Sequence, residues 1–407
     1  MTQRLWELAR LFLKMGATVF GGPAVYIAAM QRETVERRDW LSREAFLDLL
    51  GVTYLLPGPN AVEMANHVGF RRAGILGCLV AGTAFTLPAA LISGMLAWVY
   101  VEFGDLPEIK PLLLGIKPVV LGIVFAAVCR LAKSALKNWQ AVAIAAGVAA
   151  VPLAGVDEVL ALLAGSLIGV ALLRCTRRSN DGPRPGPTAG AMATATTAGA
   201  ASTAKASGVL VASAGAAPVL AAGMVVLPLW KLGLFFLEIG AVLYGSGYVL
   251  AAYLHGGLVN ASSWLSDQPL LTEQQLLDAV AIGQITPGPL ISTVTFVGYL
   301  LAGVPGAAVA TVAILVPSFV LVMLVSPWVA RLRRWRWAGL FLDAVTAASI
   351  GLTAAVLFAL GRGTLLDVPS WLMAVAAAVV TLRWDVAPLW LVAAGATAGH
   401  FFCQAAT

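Results

Sequence analysis

A Pro-Gly-Pro triplet occurs twice in an otherwise apolar chain, first within Leu55-Leu56-Pro57-Gly58-Pro59-Asn60 and again within Ile285-Thr286-Pro287-Gly288-Pro289. Proline has no N–H to donate, clashes with the preceding turn and pushes the residue before it out of helical geometry, so neither triplet lies inside a helix. Backbone groups freed at such a break are not tolerated in hydrocarbon unless protein or a polar cavity surrounds them. Hydrocarbon is the relevant solvent here. Of 407 residues, 60% are hydrophobic and 11% charged, and the mean hydropathy of +0.88 is far outside the soluble range. The fold class is therefore an all-α polytopic membrane protein. In such a chain the formal net charge of +6 reports orientation first and implies no nucleic-acid partner. Cys78, Cys129, Cys175 and Cys403 have no paired spacing, so neither a disulfide framework nor a metal site is expected, and no cofactor is implied. Arg4 and Arg10 precede an apolar run that Lys14 interrupts, with no small-residue cleavage site after it, so the N-terminal segment reads as retained.

The chain repeats itself. Phe12-Leu13-Lys14-Met15-Gly16-Ala17, followed by Phe20-Gly21-Gly22-Pro23, matches Phe236-Leu237-Glu238-Ile239-Gly240-Ala241 and Tyr244-Gly245-Ser246-Gly247. Leu41-Ser42-Arg43-Glu44 with Phe46-Leu47-Asp48 matches Leu271-Thr272-Glu273-Gln274 with Leu276-Leu277-Asp278 ahead of each Pro-Gly-Pro. Val68-Gly69, Ala73-Gly74, Gly77 and Pro88 then find Val297-Gly298, Ala302-Gly303, Gly306 and Pro317 at one constant offset. Matches of this kind, dominated by glycine and proline, point to duplication.

Four parts follow: an N-terminal repeat over 1–175, a linker over 176–208 rich in Ala, Thr, Ser and Gly, an unpaired connecting helix over 209–230, and a C-terminal repeat over 231–407. Arg174, Arg177, Arg178 and Arg184 at the linker entry, against Asp181, place it and the N-terminus in the cytoplasm. The charge bias inverts between the repeats. Arg32, Arg37, Arg38 and Arg43 fill a loop whose counterpart, 260–275, has no basic residue, while Glu102, Asp105 and Glu108 correspond to a stretch holding Arg331, Arg333, Arg334 and Arg336. Inverted-topology repeats are a signature of secondary transporters, and one unpaired helix is the simplest device for inversion. Keeping all early basic residues on one face requires re-entrant segments broken at Gly21-Gly22-Pro23 and at Pro57-Gly58-Pro59, with full spans at about 73–101, 112–129, 139–153 and 158–173. Repeated inverted, this gives about nine crossings, four re-entrant segments and about 13 hydrophobic segments; counting the re-entrant pieces as spans is the alternative.

Half-helices that start after such breaks present free amides and a positive dipole end, which suit a doubly charged oxyanion. The substrate-binding candidates are Gly21, Gly22, Pro23 and Ala24, then Pro57, Gly58, Pro59 and Asn60, and in the repeat Gly245, Gly247, Pro287, Gly288, Pro289, Ser292 and Thr293. Against this stands the bland role of glycine and proline in close helix packing. Glu63, His67 and Arg71 recur every four residues on one helical face, so Glu63 or His67 could exchange a proton, whereas Asn60 with Glu63 also fits a capping box. Lys14 and Glu238 hold equivalent repeat positions with opposite charge, Lys14 as an anion attractor and Glu238 as a coupling group, or each as an interfacial residue. Lys117, beside Pro118 in an apolar run, is an intramembrane charge and hence a candidate oxyanion contact. Arg38 and Trp40 fit a gate or an interfacial belt. No nucleotide-binding motif occurs, and His67, His255 and His400 form neither an HExxH-like spacing nor a nucleophile-base pair, so the chain reads as a non-enzyme.

Phe20-Gly21-Gly22-Pro23, Arg38-Asp39-Trp40-Leu41, Leu56-Pro57-Gly58-Pro59, the glycine-rich run from Gly69 to Gly82 and the second Pro-Gly-Pro together resemble the long, two-domain form of the chromate ion transporter family. The resemblance covers both halves. It implies export of chromate, or a related sulfate-like tetrahedral oxyanion, across the inner membrane by alternating access, driven by membrane potential or a proton gradient. An anion channel or a sulfate uptake transporter is the alternative. The implied partners are the oxyanion and the lipid bilayer, with a homodimer as an option for assembly. The chain departs from the family pattern at Asn60-Ala61-Val62-Glu63, where many relatives carry small hydroxyl residues and a Gln, and at Tyr244-Gly245-Ser246-Gly247, which lacks the proline.

Overall fold

The computed structural model describes residues 1–20, 23–104, 110–136, 138–153, 158–177, 227–244, 249–259, 264–266, 268–328, 336–384, 386 and 388–406. Gly21, Gly22, Gly245, Gly247, the linker beyond Arg177 and the connecting helix up to Val226 lie outside the described residues; Leu229 and Trp230 belong to the next helix.

The first half runs α1 (Thr2–Thr18), α2 (Pro23–Gln31), α3 (Arg43–Thr53), α4 (Asn60–Phe103), α5 (Lys110–Ala135), α6 (Trp139–Leu153) and α7 (Glu158–Arg177). The second runs α8 (Leu229–Val242), α9 (Val249–Leu254), α10 (Glu273–Ile285), α11 (Ser292–Val325), α12 (Arg336–Thr364), α13 (Val368–Trp384) and α14 (Pro388–Ala406). The two orders correspond helix by helix, down to a π-helical turn after α2 (Arg32–Glu36) and after α9 (His255–Val259). The polar starts of α3 and α10 are capped as their sequences dictate. Ser42 accepts from the Ala45 amide, and Thr272 and Gln275 form a reciprocal capping box.

Four stretches, Asn60–Phe103, Leu114–Lys133, Ser292–Trp328 and Gly339–Thr364, are long and apolar enough to cross a membrane. Two of them are folded. Ala73 and Gly74 leave helical geometry (φ −146°, then +65°), and Ala302 and Gly303 repeat those angles almost identically (φ −151°, then +62°). In a straight helix, residues eight apart lie about 12 Å apart. Here a Cβ on Gly69 would fall 2.2 Å from the Gly77 carbonyl oxygen, and one on Gly298 would fall 2.5 Å from that of Gly306. The chain therefore doubles back at each site, giving a short limb α4a (60–72) against a long limb α4b (75–103), and α11a (292–301) against α11b (304–325). At 1.5 Å per residue α4a is roughly 20 Å long and α11a roughly 15 Å, short of the roughly 30 Å of hydrocarbon. The 11 residues of α3 are short of it too.

Each short limb packs on the other half's long limb. Asn66 Nδ2 lies 3.5 Å from Ser318 Oγ, and His67 Nδ1 lies 2.9 Å from Ser326 Oγ. Reciprocally, Ser93 Oγ donates to the Ser292 carbonyl at 2.8 Å, and the Tyr100 and Phe296 rings meet edge to face at 5.3 Å. Residue numbers rise together in both contacts. Since each short limb is antiparallel to its own long limb, α4b and α11b run in opposite directions.

The later helices exchange partners too. A Cβ on Gly122 (α5) would meet the Ala374 carbonyl (α13) at 2.2 Å, and its counterpart Gly351 (α12) would meet Ala145 (α6) at 2.1 Å. Small residues thus let helices of opposite halves touch backbone to backbone.

Because the Gly69–Gly77 contact is backbone on backbone, no rotamer change relieves it. Gly69→Val is expected to destabilise the protein by about 3 kcal/mol or more, seen as a lower melting temperature in detergent. Gly74→Ala, with nothing within 4 Å but φ +65°, should cost only about 1 kcal/mol. Gly147→Ala, in open space, should leave the melt unchanged.

Candidate functional site

The breaks in the two halves meet in reciprocal pairs. The Gly58 amide of the first Pro-Gly-Pro donates to the carbonyl of Leu243, which ends α8. That bond is 2.6 Å long. The Gly288 amide of the second Pro-Gly-Pro donates to the carbonyl of Val19, the equivalent end of α1, at 3.2 Å. Tyr26 ties the second junction further. Its hydroxyl lies 2.6 Å from the Gly288 carbonyl and 3.0 Å from that of Val19, and accepts the Gly288 amide at 3.1 Å. Its ring is buried edge-on against Phe85, at 5.4 Å. The repeat register puts Leu250 where Tyr26 stands, so that position brings no hydroxyl to the first junction.

Between the junctions lies a small cavity of about 30 Å³. Each break contributes to its wall: Pro23 and Tyr26 from the start of α2, Pro59, Asn60 and Ala61 from the start of α4, Leu243 and Leu250 from the third break, and Pro289, Leu290 and Ile291 from the start of α11. Neither α4 nor α11 has a side-chain cap; their N-caps are Pro59 and Ile291, whose side chains offer no acceptor. The amides of Val62 and Glu63 donate to the Pro59 carbonyl, and those of Ser292, Thr293 and Val294 to the carbonyls of Pro289, Leu290 and Ile291. What remains for the space is the positive dipole ends with the amides of Asn60, Ala61, Leu290 and Ile291; among the described residues no Lys, Arg, Asp or Glu lines it. A smaller cavity of about 10 Å³ shares Leu250 and Leu290 with the first and adds Gln284 and Thr293. Of the substrate-binding candidates, Pro23, Pro59, Asn60 and Pro289 line the main cavity and Thr293 the adjoining one. Gly58 and Gly288 spend their amides on the junctions, while Pro57 and Pro287 make the bends. Ser292 is buried with its hydroxyl unpartnered among the described residues.

Glu63 is wholly buried on the first turn of α4, and neither carboxyl oxygen has a hydrogen-bond partner among the described residues. It folds back over the bend: a Cβ on Gly58 (φ +148°) would fall 2.3 Å from Glu63 Oε1. With Pro59 as N-cap and no side-chain cap, the Asn60–Glu63 capping box is not formed. His67 is buried between the halves on Ser326, whereas Arg71, the third member of the face, is exposed.

Lys14 is exposed and Glu238 accepts from Trp264 Nε1 at 3.2 Å, so neither reaches a cavity. Arg38 and Arg72 stack on Trp40 at 5.5 and 4.8 Å and pair with Glu33 and Glu7, a cluster at the protein surface. Lys117 is buried, with Nζ 3.6 Å from Asp278 Oδ2, and Tyr100 donates to the same oxygen at 2.8 Å. Sequence reasoning missed Asp278 and Tyr26. Asp278 carried a signal, as an acid in an apolar segment that the repeat aligns with Asp48; nothing local marks Tyr26.

Residues 6–170 and 230–400 each match the model of the family described as chromate transporter. The chain is 31% identical to the chromate transport protein of Cupriavidus metallidurans, over 97% of this chain and 92% of that one. It is also 31% identical to the probable chromate transport protein of Synechococcus elongatus, over 92% and 89%, and to the chromate transport protein of Pseudomonas aeruginosa, over 89% and 83%. No solved structure matches. A duplicated, all-helical membrane chain whose two halves each match one family model over nearly their full length belongs to the chromate transporter family.

Proposed function

We propose that the chain carries chromate, or a related tetrahedral dianion, across the inner membrane, and that the cavity where the four breaks meet is its binding site. The observation that carries this reading is the pair of helix starts without side-chain caps, α4 and α11, set with the start of α2 around one space that no charged side chain lines among the described residues. Each helix start supplies roughly half a positive charge and donors that need no deprotonation, matched to a small, strongly solvated dianion. The relatives' names point the same way.

The membrane placement rests on charge. The basic loop at 32–43 and the linker entry lie in the cytoplasm with the N-terminus, and the second repeat sits inverted. α3 and α4a then enter from inside, α10 and α11a from outside, and both pairs end at the cavity. Rocking one repeat against the other would open it alternately to either side. Outward movement of a dianion is favoured by an inside-negative potential, about 4.6 kcal/mol for two charges at 100 mV. Glu63 and His67, buried on α4a, the helix that starts at the site, are the groups assigned to proton exchange with it.

Radiolabelled chromate should accumulate in everted vesicles containing the protein, and accumulation should fall when the electrical potential is collapsed. Absence of oxyanion flux under any ion or voltage gradient would overturn the reading. Asn60→Asp keeps the side-chain shape and suits a helix start, so the protein should fold and express unchanged. It also sets a carboxylate against the dianion, and chromate flux should drop at least about tenfold.

A further inference from the structure

Lys117 and Asp278 form a buried ion pair between opposite halves, Lys117 from α5 and Asp278 from α10. The pair is poorly satisfied. Nζ stands 3.6 Å from Oδ2, Tyr100 from α4b holds that same oxygen, and Oδ1 has no partner among the described residues although Asp278 is only 2% exposed. A buried pair in this condition is weakly held, because desolvation offsets much of the attraction.

Its place in the fold gives it a use. Val124 on α5 and Val280 and Gln284 on α10 line the smaller cavity. Lys117 and Asp278 lie on the same two helices further from the main cavity, Lys117 two turns before Val124, or about 10 Å. In the proposed topology α10 enters from the outer face at Glu273, so the pair stands between the central cavity and the outside. The register pairs Lys117 with Thr346, so the inner route has no such lysine.

We infer that Lys117 is a second, transient oxyanion site on the outer route, masked by Asp278 and unmasked when Asp278 takes up a proton. This rests on the reading above that the cavity carries an oxyanion. A neutral Asp278 leaves Lys117 as an uncompensated buried cation beside the route, and a dianion leaving the cavity supplies the missing counter-charge. Loss of the proton restores the pair and expels the anion. One proton is thus bound for each anion held at Lys117, and it comes from the water on the side from which α10 enters.

The groups that act on Asp278 are Lys117 and Tyr100. Among the other charged or titratable residues on elements packed against α10 are Tyr299 on α11, Glu63, His67, Arg71 and Arg72 on α4a, Glu102 on α4b, Tyr253 and His255 on α9 and its π turn, Asp343 and Arg362 on α12, His400 on α14, and Lys110, Arg130 and Lys133 on α5. Glu273 begins α10 itself and acts on His255.

The test is chromate binding to the purified full-length protein in weak buffer between pH 7.5 and 8.5, with proton uptake recorded beside affinity and the carboxylic C=O stretch followed by infrared difference spectroscopy. In the wild type, chromate at the second site should bring about one proton with it, read as a binding phase whose Kd weakens tenfold for each pH unit gained beside a pH-independent phase from the central cavity. A protonated-carboxyl band should appear on binding. Asp278→Asn should bind with a pH-independent Kd, without proton uptake and without the band. The double variant Lys117→Met with Asp278→Asn leaves neither position as an unpaired buried charge, so it should fold, bind chromate at least tenfold more weakly than Asp278→Asn, and show no pH dependence. Binding without proton uptake in the wild type overturns the inference and leaves the transport reading standing. So does a band that survives in Asp278→Asn and is lost in Glu63→Gln. If no chromate binds and none is transported, the transport reading falls and takes the inference with it.

Discussion

An amide released from a helix inside hydrocarbon must find its acceptor within the protein, and this fold is organised around two junctions where that happens. The solution is mutual. The Gly58 amide is satisfied by the end of α8 in the second half, and the Gly288 amide by the end of α1 in the first. Neither half can close its own break, so the junctions fix the halves against each other and bring the helix starts together. The cavity, the uncapped α4 and α11 termini and the placement of Tyr26 all follow from those two bonds.

The same reciprocity recurs at the reversals. Asn66 in α4a and Thr295 in α11a hold equivalent positions, and each faces the partner limb of its own hairpin. Thr295 meets Thr311 at 2.8 Å, while a Cβ on Gly82 would fall 1.9 Å from Asn66 Oδ1. The larger amide is accommodated because its partner has no side chain. Having diverged this way, Asn66 also reaches across to Ser318. The two hairpins share a backbone and differ in which contacts they make between halves.

Much of this was legible because glycine and proline are the residues whose backbone consequences survive without knowledge of the fold. The breaks at Pro57-Gly58-Pro59 and Pro287-Gly288-Pro289, the matched registers and the start of a long span near Ala73 could be read from one dimension. The basic pair Arg71-Arg72 marked the end of the segment before it. What could not be read was who satisfies whom. Lys117 looked like a lone intramembrane cation because its partner lies on a helix of the other half. Lys14 and Glu238 looked like a symmetric charge pair, yet Lys14 is exposed and Glu238 turns to Trp264, since an interfacial position leaves long side chains free to leave the core. The Asn60–Glu63 capping box failed for a backbone reason: Pro59 takes the N-cap, so Asn60 is already in the helix.

The exchanged glycine contacts of α5 and α12 bear on how the protein is made. α5 emerges from the ribosome well before α13 and α14, whose backbones it is shaped to touch at Gly122 and Gly115. Until the last helices are inserted, that small-residue face has only lipid against it, and α6 waits likewise for Gly351. The packing of α5 is therefore completed only when α13 and α14 are in place. A truncation that removes α13 and α14 withdraws the neighbours of α5 as well, and the damage reaches a helix in the opposite half.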